Sequence, residues 1–496
     1  MSSARGGKAA GAKSFPSVVA GGVLACLCLA NAQSNAPGIA DLPVARLETE
    51  VPRLMREADI PGMSITLIRG GKIAWHGNFG VKNAKSAQPI DDDTVFEAAS
   101  LSKPVFAYAV LKLVEQGKLG LDLPLTTYLP KPYIENDPRV GKITARFVLS
   151  HRTGFPNWRG SGNLTIHFTP GERFSYSGEG FVYLQRVVEQ IEGKPLNDVM
   201  NALVFSPLGM TGSSYVRRPD FDERTATGHD SDGAPEDLWK PKEAGAASSL
   251  NTTVRDYALF VTAVLNGKGL KPSTFREMET AQIAVNPECT NCTEKTPKEL
   301  SQTVFWGLGW GLQKNGTDLS LWHWGDNGSF KCFVVADPSR KSGVILFINS
   351  ENGLAIAPAV VRDATGAESP AFGWIKYDAY DSPAMKFRKA IREQGVEAAL
   401  GHFAAQLRDG TIPEGAVNSV AYHLLWRAHQ ADAIRVFRLN TELHPQSANA
   451  FDSLGEGYMQ SGEKALAILN YEKSLALDPK NSNAVEQLKK LRASSD

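Results

Sequence analysis

Ser100 and Lys103 stand three residues apart in Phe96-Glu97-Ala98-Ala99-Ser100-Leu101-Ser102-Lys103. On a helix that spacing puts a hydroxyl and an amine on one face, within reach of each other. The positive end of the helix dipole disfavours an ammonium there, and burial pushes the same way. Such a lysine can shed its proton and serve as base to the serine. Pro104 in the first turn is compatible with a helix start. The pattern Ser-x-x-Lys arises about once by chance in a chain of this size, and Ser461-Gly462-Glu463-Lys464 is a second instance. Taken alone, Ser100 reads first as a helix cap.

Two further segments alter that reading. Tyr176-Ser177-Gly178 lies at the start of a predicted helix, and a phenol close to a cationic lysine can have its pKa lowered and share proton transfer with it. His323-Trp324-Gly325-Asp326 enters an expected strand. A glycine there lets a substrate backbone approach closely, and a free N–H just beyond it can join that of Ser100 as an oxyanion hole.

The elements that must carry these groups are legible as periodic runs. Val51–Ala58 reads as helical, and Met63–Trp75 as a hairpin about Gly70-Gly71. A long amphipathic helix is predicted over Ser100–Glu115, stopped by Gly117. Phe330–Ile348 reads as a second hairpin, turning at Asp337–Gly343. Strands at both ends with helices between imply one sheet built from distant segments, an α/β (α+β) sandwich with a helical subdomain.

At this point the chain resembles the serine β-lactamase and penicillin-binding-protein superfamily, in its class C β-lactamase and esterase-like branch. The resemblance covers about 45–355 and rests on the Ser100, Tyr176 and His323 segments together with Leu149–Pro156, Ala246–Leu250 and Trp306–Trp310. It implies an antiparallel sheet flanked by helices, Ser100 as acylated nucleophile, and Lys103 and Tyr176 sharing the base role. By the same resemblance His323-Trp324-Gly325 occupies the third motif, and the Asp326 N–H completes the oxyanion hole. Two departures bear on substrate. Gly178 stands where class C enzymes usually have an Asn that contacts the substrate's amide. His323 and Trp324 stand where true β-lactamases have the Lys and Thr that favour a substrate carboxylate. A literal Lys341-Ser342-Gly343 falls in the second hairpin's turn and is rejected as the third motif. Esters, small amides and D-amino-acid peptides are therefore favoured over β-lactams, with a true β-lactamase as the alternative and a non-catalytic cell-wall-peptide binder as the rival of another class. Trp306, Trp310, Trp322 and Trp324 either line an apolar acyl pocket or belong to the core, and the first two read as core.

Composition narrows the rest. The 496 residues, 42% of them hydrophobic, can bury a sizeable core, which rules out a mostly disordered chain. Lys plus Arg and Asp plus Glu both number 53, and no basic stripe marks a nucleic-acid surface. The nine His show no paired metal-ligand spacing, so neither a metal nor another cofactor is expected; His151 reads as shaping its turn. Cys289-Thr290-Asn291-Cys292 sits in a polar insertion, about 285–302. In an exported chain it reads most simply as a loop disulfide, with free thiols or a redox or metal half-site as alternatives. Cys332 lies on an apolar strand and reads as buried.

The two ends differ from the body. Residues 1–32 hold Arg5, Lys8 and Lys13, an apolar run Val18–Leu29 and Ala30-Asn31-Ala32, which describes a secretory signal too short to span a bilayer. Cys26 admits a lipoprotein variant. A periplasmic or secreted protein with no membrane span after processing is the expectation, and removal of that signal leaves 50 basic and 53 acidic side chains. Near the other end, Leu443/Leu477, Pro445/Pro479, Ala433/Ala467, Phe437/Tyr471, Asn449/Asn483 and Ala450/Ala484 repeat at an offset of 34 residues. That period resembles the tetratricopeptide repeat, an all-α unit that generally binds peptides. The expected layout is a hydrolase body at 42–362, a linker with a helix pair over Met385–Leu407 at 363–415, and repeats with a capping helix at 416–492.

Overall fold

The computed structural model describes residues 43–493 apart from 161, 238–239 and 294–298. The expected export signal at 1–32, with Cys26, lies outside them. Among the described residues no helix is long and apolar enough to cross a membrane.

Nine strands form one antiparallel sheet. β1 (Gly62–Arg69) and β2 (Lys72–Asn83) make the first hairpin, β3 (Gln88–Pro89) extends its edge, and β4 (Val95–Glu97) pairs apart with β5 (Asn251–Thr253). β6 (Ile283–Ala284), β7 (Val304–Trp306), β8 (Gly311–Asn315), β9 (Asp318–Asp326), β10 (Lys331–Asp337) and β11 (Ser342–Ile348) complete the set. The order across the sheet is β3-β2-β1-β11-β10-β9-β8-β7-β6. The hairpins from the two ends of the body are thus neighbours, with Met63 opposite Ile348. The turn Gly70-Gly71 has φ of 55° and 70°, the left-handed pair that a tight hairpin asks of glycine.

Both faces of the sheet are covered, so its central strands are continuous apolar runs. Met63, Ile65 and Leu67 of β1 and Val344, Leu346 and Ile348 of β11 meet the helices Val44–Glu57 and Gly353–Thr365. Ile345 and Phe347 of β11 face the opposite way, into a larger core shared with the helices Ser102–Glu115, Gly178–Glu192 and Val254–Leu265. The expected amphipathic helix is buried on nearly every side, from Ser102 through Leu111 and at Leu113. It lies between the sheet and the helical subdomain, where an all-round apolar surface is what burial requires. Its first turn is a tighter 3₁₀ segment, Ala99–Leu101, and the α-helix itself begins at Ser102.

Beyond β11 the chain is helical. The expected boundary at 362 falls inside the helix Gly353–Thr365, and Pro370–Ile375 packs Ala371 and Trp374 into the same core as the sheet. The expected helix pair over 385–407 is three helices, Pro383–Gln394, Val396–His402 and Ala404–Arg408. Glu414–Trp426, Gln430–Leu443, Ala448–Gln460, Lys464–Leu477 and Ser482–Ala493 follow. Ala433, Phe437, Ala450, Ala467, Tyr471 and Ala484, all members of the 34-residue series, are fully buried between consecutive helices. A charged seam joins this region to the body: His423 to Asp232 at 2.8 Å, Arg392 to Asp59 at 2.8 Å, and Arg427 to Asp230.

Candidate functional site

Ser100 sits on the 3₁₀ turn that carries β4 into the buried helix. Ala99, just before it, has φ of 48°, a left-handed conformation that costs a residue with a Cβ roughly 1–2 kcal/mol. Several bonds hold it there. Ser102 Oγ donates to Ala99 O at 2.5 Å and accepts the Leu250 N–H at 3.0 Å, while the Ala98 N–H donates to Leu250 O at 2.8 Å. Segment 246–250 thereby lies alongside the nucleophile turn.

Lys103, one helical turn on, is fully buried. Its Nζ donates to Ser100 Oγ at 2.9 Å and to Ala247 O at 2.7 Å. Aromatic rings enclose the amine, with centroids of Tyr176 at 4.9 Å, Phe181 at 5.7 Å and Trp158 at 5.8 Å. No carboxylate pairs with it among the described residues. Burial alone pushes its pKa well below the usual lysine range, so the amine is inclined to the neutral state that a base needs.

Tyr176 reaches the same place from the residue before a helix cap. Ser177 caps Gly178–Glu192, its Oγ accepting the Gly180 N–H at 3.0 Å and donating to Pro156 O at 2.7 Å. His151 lies beneath the tyrosine ring, centroids 4.2 Å apart. Its carbonyl takes the Ser175 N–H at 2.9 Å and its Nδ1 takes the Ser177 N–H at 3.0 Å. His151 does occupy a turn, at φ of 54°, but it also clamps the backbone on both sides of Tyr176. Burial lowers its pKa, which keeps it neutral and leaves Nδ1 as an acceptor. Among the described residues the Tyr176 hydroxyl has no hydrogen-bond partner within bonding geometry, and Ser100 is the side chain that acts on it. Desolvation raises its pKa. That reverses the expectation of a phenol acidified by an ammonium: a buried, neutral lysine supplies no positive charge, so desolvation wins and Tyr176 keeps its proton.

β9 forms the opposite wall. A Cβ on Gly325 would lie 2.6 Å from Ala98 O and 3.1 Å from Ala99 Cβ. β9 at Gly325 is therefore in close contact with the turn that carries Ser100. The Asp326 side chain accepts from Lys331 Nζ at 2.5 Å, from the Gly328 N–H at 2.9 Å and from the Tyr377 hydroxyl. His323 is fully buried, its Nδ1 bonded to Trp324 O at 2.7 Å. Desolvation lowers its pKa to about 3. Nδ1 faces a carbonyl and so carries the ring proton, leaving Nε2, which has no partner among the described residues, as an acceptor. It is no anchor for a carboxylate. Lys341 ends the β10–β11 turn and Ser342-Gly343 open β11, beyond the turn expected to hold them, with Gly343 opposite Ala336 and Ile68, far along the sheet from this wall.

Trp306, Trp310 and Trp322 are fully buried in the core, and of the four candidate tryptophans only Trp324 retains exposure. The apolar rim comes from residues that motif reasoning did not single out. Trp158 is 49% exposed beside Gly178, and Tyr377 stands over Asp326 from beyond the expected body. The apolar run Phe372-Gly373-Trp374-Ile375 just before Tyr377 was the available signal for that segment. Cys289 and Cys292 are joined in a disulfide, and the two residues between them hold the backbone of Tyr176: its N–H donates to Thr290 O at 3.0 Å and its carbonyl accepts Asn291 Nδ2 at 2.5 Å. Glu97, buried behind the nucleophile, accepts Asn327 Nδ2 at 2.8 Å, and burial raises its pKa to about 7. Cys332 is buried, its thiol toward Glu97 O at 3.3 Å. No group of His, Cys, Asp and Glu suited to a metal occurs among the described residues.

Comparison with known proteins converges on one superfamily. The chain is 26% identical over 388 residues to penicillin-binding protein 4* of Bacillus subtilis, covering 71% of this chain and 80% of that protein. It is 30% identical over 226 residues to the esterase EstB of Burkholderia gladioli, covering 39% of this chain and 56% of the esterase. Among solved structures, a β-lactamase/D-alanine carboxypeptidase from Pseudomonas syringae superposes with a TM-score of 0.57 at 18% identity, over 66% of this chain and 99% of that one. An octameric penicillin-binding protein homologue from Pyrococcus abyssi gives 0.55 at 22% identity, over 71% and 82%. At such identities these two likenesses are of fold. The Beta-lactamase family model matches residues 47–365. Because that match takes in the Ser100 turn, the Tyr176 segment and the strand facing them, the chain belongs to the β-lactamase and penicillin-binding-protein superfamily of serine hydrolases.

Proposed function

We propose that the protein is a serine hydrolase that works through an acyl-enzyme on Ser100, acting on small esters, amides or D-amino-acid peptides. The observation that carries this reading is the 2.9 Å contact between Lys103 Nζ and Ser100 Oγ in a buried site that withholds any counter-ion from the amine. In the forward step, neutral Lys103 takes the Ser100 proton as Oγ attacks the substrate carbonyl. The N–H groups of Ser100 and Asp326 receive the developing oxyanion. Tyr176, which keeps its proton, hands it to the leaving alkoxide or amine, and Lys103 returns one to the phenolate. Water then attacks the acyl carbonyl with the same pair as base, and Ser100 leaves protonated.

The neutral His323 supports esters and amides over β-lactams, since at the third-motif position it presents no cation to a carboxylate. Export, and a peptide partner for the 34-residue helical series, belong to this proposal as well. One assay tests its centre: turnover of a p-nitrophenyl short-chain ester and labelling by a fluorescent penicillin, wild type against Ser100→Ala. Ser100-dependent ester turnover supports the reading. No turnover and no label would return the chain to the class of binding proteins.

A further inference from the structure

Gly178 and Trp158 occupy one space between them. A Cβ on Gly178 would lie 2.7 Å from Cη2 of the Trp158 ring and 3.1 Å from Asn157 O. No other side chain fits at 178 while the indole stays where it is. The indole is also held, although half of it faces solvent. Asn157 Oδ1 accepts the Gly178 N–H at 2.9 Å, and Asn157 O accepts the Glu179 N–H at 2.9 Å. Arg159 meets Glu179 at 2.9 Å, and Tyr133 donates to the same carboxylate oxygen at 2.5 Å. The two neighbours of Trp158, Asn157 and Arg159, are thereby fastened to the start of the Gly178–Glu192 helix, and the ring between them faces Lys103 Nζ at 5.8 Å.

Trp158 keeps about half of its surface open to solvent although the residues on either side of it are tied down. A fixed ring next to a nucleophile and its base, with that face free, is the form of a binding platform. We propose that Trp158, made room for by Gly178, is a specificity-determining subsite that takes a flat apolar group, aromatic in the best case, of an ester or amide substrate. The claim rests on the hydrolase reading above and adds the substrate's shape to it. A polar side chain at 178 would offer hydrogen bonds to the substrate's flank. The indole offers area and a π face, so it rewards apolar substituents and is indifferent to amides.

The test uses the full chain and compares kcat/KM for p-nitrophenyl phenylacetate with that for p-nitrophenyl acetate. The wild type is expected to favour the phenylacetyl ester. Trp158→Ala should lower that preference about 10-fold, on the scale of a lost hydrophobic pocket contact, and Trp158→Phe should keep most of it. Gly178→Asn, whose Cβ displaces the ring, should lower it like Trp158→Ala. An unchanged ratio in Trp158→Ala, with Ser100-dependent turnover intact, would overturn the subsite and leave the hydrolase reading standing. No Ser100-dependent turnover of either ester by the wild type would remove both.

Discussion

Gly325 lies so close to Ala98 that a single added carbon would come within 2.6 Å of the alanine's carbonyl oxygen. β9 and the turn carrying Ser100 are thus in close contact, and the oxyanion role proposed for the Asp326 N–H depends on that contact. Gly325→Ala is expected to push β9 from the turn and lower kcat about 100-fold, the loss typical of one oxyanion donor. The midpoint of thermal unfolding should fall by only a few degrees. Wild-type kcat in a folded Gly325→Ala protein would contradict this assignment.

Lys103 links activity to stability in opposite directions. Its folded pKa is depressed, so the native state binds fewer protons than the unfolded chain between that folded pKa and 10.5. Its burial is free of cost above pH 10.5, and stability is lost as pH falls toward the folded pKa. Lys103→Met should abolish turnover, by 1000-fold or more, and show a thermal midpoint equal to or above the wild type at neutral pH. Denaturant titrations of both proteins across pH measure the difference, which should shrink as pH rises.

Glu97 shows the opposite linkage. With a folded pKa near 7 against an ordinary 4.5, its contribution is fully present below about pH 4.5 and is lost as pH rises to about 7. Glu97→Gln keeps an acceptor for Asn327 Nδ2 and removes the titration. The variant should gain stability relative to the wild type as pH rises from 4.5 to 8, and match it at the acid end.

Asn291 acts on Tyr176 through the backbone, so its loss should appear in kcat and spare KM. Asn291→Ala is expected to lower kcat about 10-fold, and reduction of the Cys289–Cys292 bond should shift the wild type in the same direction. A rise in KM alone would place the loop in substrate binding.

The hairpins, the Ser100–Lys103 pairing and the β9 wall were legible because each is local: a period of two, a spacing of three, a glycine in a strand. The burial of the helix Ser102–Glu115 on both sides is not legible locally, since its second apolar partner, the subdomain around Tyr183 and Val187, comes from distant sequence. Tyr176's protonation is hidden for a related reason: the family resemblance implies a phenol near an amine, but only the enclosing rings of Trp158 and Phe181 show how dry the pair is. Trp158, Asn291 and Tyr377 reach the site on loops without a period; the cysteines around Asn291 and the apolar run before Tyr377 mark those two segments, and nothing in its neighbours announces Trp158.

The central claim is that Ser100 becomes acylated. Rapid acid quench of the protein turning over p-nitrophenyl phenylacetate, followed by peptide mass mapping, reads that state directly. The account predicts a phenylacetyl adduct on the peptide containing Ser100, absent from Ser100→Ala. Turnover with no adduct on that peptide, or an adduct that survives in Ser100→Ala, would contradict it.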